Sequence, residues 1–296
     1  MSEAIEKDPR VSLPAFDYRV PQTVDEAIAL LGEYGDDAIL MAGGLTVMLL
    51  LRERLIQPRV VISLSNIGAL NGVDVNGDCR IGAMTRHSDI VVSRVLRESV
   101  PLLCDACGRV GSPAIRNMGT LGGSVSQGDG ASDTAPALLA LNAEAVAVGP
   151  DGERRIPLSG FFQDVFTTAL LDQEILTSLR VPTPAEGTRT KFFKYTCTSA
   201  EAFAAVTVAI TFVPSENGRC KDIRIGLGSV APTPIRATQA EDLLRGQKAT
   251  PELIAEVAAA AAAATDPPSD GQGSADYRRE MTRVWVRRLL EEIVIN

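Results

Sequence analysis

The chain is poor in aromatic residues, which make up 4% of it, and it contains one histidine and one tryptophan. A single histidine excludes a histidine-rich metal centre, and any nucleophile–histidine–acid triad would have to be built around His87. Basic residues are in deficit, since 29 Lys and Arg face 37 Asp and Glu and leave a net charge of −8. That balance, with so few aromatics, argues against a nucleic-acid surface, which needs clustered cations. Long apolar runs are also missing. The longest, Ile39 to Leu51, is too short to span a bilayer and is interrupted by Gly43 and Gly44. The opening stretch mixes Glu3, Glu6, Lys7, Asp8 and Arg10 with Pro9 and Pro14 and has no apolar core of a signal peptide. A cytoplasmic protein without a membrane span is therefore expected. Five cysteines in 296 residues are too few, and odd in number, for a disulfide framework. Cys104 and Cys107 have Cys-x-x-Cys spacing, but Cys79, Cys197 and Cys220 supply no second pair, so they read as small residues on a helix face.

What is present is an ordinary globular composition, 45% apolar, over 296 residues. At roughly 150 residues per domain, that length suggests two domains. Thr23 and Glu26 have capping-box spacing ahead of Ala27, Ile28, Leu30 and Leu31, with Gly32 and Gly35 as the stop. A strand over Ala38 to Ala42, a helix over Thr46 to Arg54 ended by Pro58, and a strand over Arg59 to Leu64 follow. This alternation predicts a layered α/β start. Asn76-Gly77 between Val73–Val75 and Cys79–Ala83 predicts a hairpin. Helices are expected over His87 to Leu96, Pro101 to Val110 and Ala135 to Leu141, and strands over Glu144 to Val148, Arg154 to Pro157 and Ile175 to Val181. Gly111 to Asp133 is a polar stretch too long to be idle inside a compact domain.

Pro182, Pro184 and Gly187 mark a boundary, after which the grammar changes. Strands are expected over Lys191 to Thr196, Ala205 to Val213 and Lys221 to Gly228. A helix starts at Thr250-Pro251-Glu252, and a final helix carries an apolar stripe of Tyr277, Met281, Val284, Trp285, Leu289 and Ile293. Strand alternation places Lys191 and Phe193 on one face and Phe192 and Lys194 on the other. The fold class is therefore α+β.

Two glycine pairs occur in similar settings, Ala42-Gly43-Gly44-Leu45-Thr46 and Thr120-Leu121-Gly122-Gly123-Ser124. Consecutive amides at such turns can converge on a phosphate, and a helix starting at Thr46 would add its dipole. Neither matches a dinucleotide fingerprint or a P-loop, and two tight turns remain an alternative. Asp133 could accept bonds from sugar or ribityl hydroxyls or simply cap the next helix; from the residues alone the cap is preferred.

Ile115 to Ser124 (IRNMGTLGGS) resembles the FAD-binding medium subunit of the molybdenum hydroxylases, the group of carbon monoxide and xanthine dehydrogenases. Ala42 to Thr46, DTAPALLAL from Asp133, FFQDVFTTALLDQEIL from Phe161, IGLGSVAPTPIR from Ile225 and YRREMTRVWVRRL from Tyr277 agree in order and spacing. The likeness runs from about Phe16 to the end.

It implies a two-part FAD-binding domain over residues 1–186, with subdomains of about 1–64 and 65–186, and a C-terminal flavoprotein domain over 187–296. It also implies FAD held by Ala42, Gly43, Gly44, Leu45 and Thr46 and by Thr120, Leu121, Gly122, Gly123 and Ser124. Asp133 would lie at the ribityl or phosphate portion, Ile175 and Leu176 along the flavin, and Lys194 near its ring. On this reading Gly122→Val should block pyrophosphate approach. Leu45 departs from the polar residue usual after the glycines, and Gln127 to Ser132 departs from the usual run before the aspartate. The implied function is electron transfer from 2Fe–2S clusters to FAD and on to a terminal acceptor, with no catalytic residue in this chain. A large subunit with the molybdenum cofactor and a small subunit with two 2Fe–2S clusters are the implied partners, in a dimer of heterotrimers. The implied type is carbon monoxide dehydrogenase. The alternatives are an N-heterocycle or xanthine-type subunit, a self-sufficient FAD oxidoreductase, and a binding protein that has lost its flavin.

Overall fold

The computed structural model describes residues 13–295, so Glu3, Glu6, Lys7, Asp8, Pro9 and Arg10, on which the expected lack of a signal peptide rests, lie outside the described residues. The first unit runs β1 (Asp17–Arg19), α1 (Val24–Tyr34), β2 (Ala38–Met41), α2 (Leu45–Arg52) and β3 (Val60–Ser63), and its strands form a parallel sheet in the order β1-β3-β2. The Thr23 hydroxyl accepts the Glu26 amide at 3.1 Å, while the Glu26 carboxylate accepts the Gln22 amide at 2.7 Å. The reciprocal bond of a capping box thus lands one residue earlier than expected. Gly32 is inside the helix, and Gly35, at φ 50, ends it. Ala27, Leu31, Val60, Ile62 and Ile67 make the core of this unit. Helix α2 stops at Arg52, short of the expected Arg54, because Arg54 takes a left-handed φ of 54.

The second unit opens with the expected hairpin of β4 (Val73–Asn76) and β5 (Asp78–Gly82). Six short helices follow: α3 (His87–Val92), α4 (Arg94–Ser99), α5 (Pro101–Gly108), α6 (Pro113–Met118), α7 (Leu121–Ser126) and α8 (Ala135–Ala140). The helix expected over His87 to Leu96 is two helices, because the Ser93 hydroxyl accepts the Leu96 amide and starts a second one. The polar stretch from Gly111 holds two more, capped by the hydroxyls of Ser112 and Thr120. Cys104 and Cys107 are buried thiols on α5 that form no disulfide, and the Cys104 thiol donates to the Ile90 carbonyl at 3.4 Å. The unit closes with β6 (Glu144–Gly149), β7 (Gly152–Pro157), the small hairpin β8 (Phe162–Asp164) and β9 (Thr167–Thr168), and β10 (Ile175–Val181), giving an antiparallel sheet ordered β4-β5-β10-β6-β7.

The third unit is an antiparallel sheet of β11 (Arg189–Tyr195), β12 (Val206–Pro214), β13 (Cys220–Gly228) and β14 (Ile235–Arg236), with helices α9 (Thr238–Leu244), α10 (Pro251–Ala263) and α11 (Ala275–Ile295). The residue pattern did not reveal β14 or α9, since so few residues carry little periodic signal. Along α11 the buried row is Thr282, Val286, Leu289, Leu290 and Ile293, whereas Tyr277 of the expected stripe is 37% exposed. Arg278 rather than Tyr277 turns inward, and its guanidinium donates to the carbonyls of Ala205 and Ser229.

Strand alternation holds in β11. Phe193 stacks on Trp285 with centroids 3.8 Å apart and Lys191 meets Glu292 at 3.1 Å, both toward α11. Phe192 packs against the core of the second unit. On that side β13 lies flat on α8: a Cβ at Gly226 would stand 2.0 Å from the Pro136 carbonyl oxygen. The Thr211 hydroxyl donates to the Ala140 carbonyl at 3.2 Å. Helix α8 is thus enclosed along its whole length, and it seats the third unit against the second. The architecture is α+β with two parts, as expected.

Candidate functional site

Strand β2 ends at Met41, and the chain enters α2 through Ala42-Gly43-Gly44. Gly44 is the N-cap at φ 77, and no side chain caps the helix. The first amides of α2 therefore have no partner within the helix, and the dipole adds positive character there. Leu45 and Thr46, the first two helical residues, are exposed.

The structure brings the second glycine segment to this point. A Cβ at Gly43 would stand 2.1 Å from the Met118 carbonyl oxygen, and one at Gly123 would stand 3.4 Å from the Ala42 Cβ. Gly43 is needed because two backbones pass within contact, which is a different reason from ligand access. Thr120 gives its hydroxyl oxygen to the Gly123 amide at 3.1 Å. Leu121 and Gly122 are buried. The Gly122 amide donates to the Ala83 carbonyl at 2.8 Å, and a Cβ there would stand 2.4 Å from the Ala83 Cβ. The basis expected for Gly122→Val is thereby corrected: valine would first push α7 off the end of β5. Gly123 and Ser124 remain half-buried, and the Ser124 Oγ lies 2.9 Å from His87 Nε2.

Asp133 does not cap α8, whose N-cap is Thr134 without a side-chain bond. Its Oδ2 accepts from Lys194 Nζ at 2.7 Å, and Lys194 also donates to the Arg109 carbonyl at 3.0 Å. The two side chains are 10% and 3% exposed, and Asp133 Oδ1 has no hydrogen-bond partner among the described residues. These two expected site residues therefore meet each other across the junction of the second and third units. The loop before them is pinned on both sides. Gly128, at φ 65, lies against Phe166 and Thr167, while a Cβ at Gly130 would stand 2.7 Å from the Pro232 carbonyl oxygen. Ile175 and Leu176 are 1% and 4% exposed and belong to the first and second cores respectively. Cavities of about 270 and 330 Å³ lie elsewhere, one beside Pro182 and Arg224 and one beside Arg97 and Phe192. The glycine site is formed by two segments, with Leu45 and Thr46 exposed on one side and Gly123 and Ser124 half-buried on the other.

Burial raises the Asp133 carboxyl from 3.8 to about 6, against the pull of Lys194, which holds it down. Between those values the folded chain keeps a proton that the unfolded chain has lost. The stability due to this group is thus present at low pH and is lost as pH rises through about 6. Urea midpoints of wild type and Asp133→Asn should differ in pH slope across this window, the variant losing the downward component. Identical slopes would show that Asp133 titrates elsewhere.

Two family models match in tandem: "FAD binding domain in molybdopterin dehydrogenase" over residues 14–184 and "CO dehydrogenase flavoprotein C-terminal domain" over residues 191–293. The chain is 35% identical over 278 residues to the carbon monoxide dehydrogenase medium chain of Hydrogenophaga pseudoflava, covering 94% of this chain and 96% of that one. It is 32% identical over 278 residues to the 6-hydroxypseudooxynicotine dehydrogenase complex subunit alpha of Paenarthrobacter nicotinovorans, covering 94% of each. A solved structure of the Hydrogenophaga pseudoflava carbon monoxide dehydrogenase, in a form lacking the Mo-pyranopterin moiety of its cofactor, superposes with a TM-score of 0.92, covering 95% of this chain and 98% of that one. With both models in order and this similarity nearly end to end, the chain belongs to the family of FAD-binding medium subunits of molybdopterin-dependent dehydrogenases.

Proposed function

We propose that this chain is the electron-transfer subunit of a molybdenum hydroxylase complex, carrying electrons from 2Fe–2S clusters through FAD to a terminal acceptor. The observation that supports it most is the meeting of both glycine segments at the uncapped start of α2. The free amides of Gly44 to Thr46, with the hydroxyl of Ser124 brought beside them, fit a diphosphate, while the amides of Leu121 to Ser124 are already bonded within the protein. Bound FAD supplies a centre that accepts and releases electrons one or two at a time. The remaining task of the protein is to orient that group and exclude water. Asp133 and Lys194 would close the ribityl and ring end, and Ile175 and Leu176 would form the apolar floor that joins the two cores. Lys194, already held by Asp133 and the Arg109 carbonyl, would act there as a fixed positive charge.

The partners in this reading are a large subunit bearing the molybdenum cofactor and a small subunit bearing two 2Fe–2S clusters, assembled as a dimer of heterotrimers in the cytoplasm. Large exposed apolar side chains in several parts of the chain, among them Leu55, Val92, Leu171 and Phe203, are available to partners. Among the described residues no helix is long and apolar enough to cross a membrane. We assign the carbon monoxide dehydrogenase type because that likeness, at 35% identity, exceeds the 32% to the nicotine-related subunit. The choice of substrate would rest with the large subunit.

The test is the visible spectrum of the chain purified with its partners, followed by mass identification of the released cofactor. One FAD per chain, reduced when the complex is given carbon monoxide, is the expected result. A complex that holds iron–sulfur clusters and no flavin would sink the proposal. Turnover of an organic substrate by this chain alone would favour a self-sufficient oxidoreductase instead.

A further inference from the structure

The single histidine of the chain sits at the second glycine segment, and the function described so far leaves it without a role. His87 opens α3; its amide donates to the Gly119 carbonyl at 3.1 Å, and its ring carbon Cδ2 is 3.1 Å from where a Gly119 Cβ would stand. The side chain is thus wedged behind the turn that leads into Thr120, and the residue is 1% exposed. Nε2 lies 2.9 Å from Ser124 Oγ, while Nδ1 is buried with no hydrogen-bond partner among the described residues.

This asymmetry selects a tautomer. A proton on Nδ1 would bury an N–H with no acceptor, whereas a proton on Nε2 is used on Ser124 and leaves only a lone pair unmatched. Orphaned buried donors are the rarer and costlier defect. With Oγ accepting from the ring, the hydroxyl proton of Ser124 must be directed elsewhere. Among the described residues no carbonyl of α7 receives it. Ser124 follows Gly123, where a Cβ would stand 3.4 Å from the Ala42 Cβ of the first glycine segment.

We propose that His87 is a positioning residue of the cofactor site, its Nε2–H donating to Ser124 Oγ so that the serine proton is presented to a phosphate oxygen of the bound dinucleotide. The inference rests on the FAD reading above and adds to it the device that sets the direction of one hydrogen bond. The ring is also kept neutral: burial, and secondarily the Arg116 guanidinium, push His87 down to about 4. Arg116 is itself held by the carbonyls of Val110 and Gly111 at 2.9 and 2.7 Å. A neutral ring keeps the same proton on the same nitrogen throughout the physiological range, so the serine is always turned outward.

Because there is one histidine, long-range proton–nitrogen NMR of the histidine-labelled protein reads this ring without assignment. The expected result is an Nε2–H tautomer that does not titrate between about pH 5 and 8. An Nδ1–H tautomer, or a ring that charges in that range, overturns the proposal. FAD affinity supplies the second measurement. His87→Phe and Ser124→Ala should each weaken binding by about tenfold, one hydrogen bond's worth. The double variant should be no weaker than Ser124→Ala, and His87→Gln should recover most of the loss. Independent losses that multiply to about a hundredfold would mean that His87 acts as packing alone and would overturn the proposal. If His87→Phe fails to fold, the tautomer in the wild type decides. If the wild-type complex binds no FAD, the flavoprotein reading falls and takes this proposal with it. An FAD-replete protein with the other tautomer overturns this proposal only.

Discussion

Lys194→Met should destabilise the chain by about 3–5 kcal/mol, the loss typical of stranding one member of a buried ion pair. Lys194 is 3% exposed and is held by Asp133 at 2.7 Å and by the Arg109 carbonyl at 3.0 Å. Methionine preserves the length and the apolar stem but leaves Asp133 buried with neither oxygen bonded and the Arg109 carbonyl without its donor. The aspartate then takes up a proton, which limits the loss at low pH and enlarges it at neutral pH. Adding Asp133→Asn to Lys194→Met removes the stranded charge and should return a large part of the stability, so the two substitutions are strongly non-additive. Denaturant midpoints of the four proteins measure this directly. A loss below about 1 kcal/mol for Lys194→Met would place the pair among ordinary surface bridges. The same series separates two roles for Lys194. If it serves only to join the units, stability falls and the flavin spectrum of the folded protein is unchanged; if it also acts on the flavin, the spectrum and potential shift in the folded protein.

The second large effect is expected at Gly43. A Cβ there would stand 2.1 Å from the Met118 carbonyl oxygen and 2.9 Å from its carbon, so the two glycine segments must move apart to admit any side chain. Gly43→Val should therefore reduce FAD affinity by more than about a hundredfold. The cores described above are not entered by the substitution, since residue 43 is half-buried at the surface, and circular dichroism should stay native. Gly68→Ala is the matched control: nothing lies within 4 Å of its Cβ position, and flavin content should be unchanged. Full FAD occupancy in Gly43→Val would separate the glycine contact from the cofactor altogether.

Comparison of Gly43 with Gly122 shows where residue patterns stop being informative. Both belong to glycine pairs flanked by hydroxyl residues, and both read alike as backbone suited to phosphate. In the fold, Gly122 is a packing residue against Ala83, while Gly43 holds the two segments together. Glycine reports that something comes close; it does not report whether that thing is a ligand, a strand or a second loop. Asp133 makes the same point. Its position before Ala135-Pro136 suits a helix cap, yet it reaches a lysine 61 residues away. His87 and Ser124 are 37 residues apart, and a single histidine carries no spacing from which their contact could be inferred.

Local chemistry sufficed for most of the longer elements and for some of their faces. Thr23, Thr250 and the Asn76-Gly77 turn act where their side chains and backbone preferences direct them. Period-two alternation set Phe193 and Phe192 on opposite faces, which in the fold meet Trp285 and the core of the second unit. The ordered glycine and helix motifs were enough for the family. These features depend on neighbours within a few residues, whose geometry is set by bond lengths and dihedral preferences. The meeting of the two glycine segments, the Asp133–Lys194 pair and the His87–Ser124 contact depend on how the three units pack against one another. That packing is a collective outcome of burying apolar surface, a non-directional force that brings distant residues together without marking them in the chain.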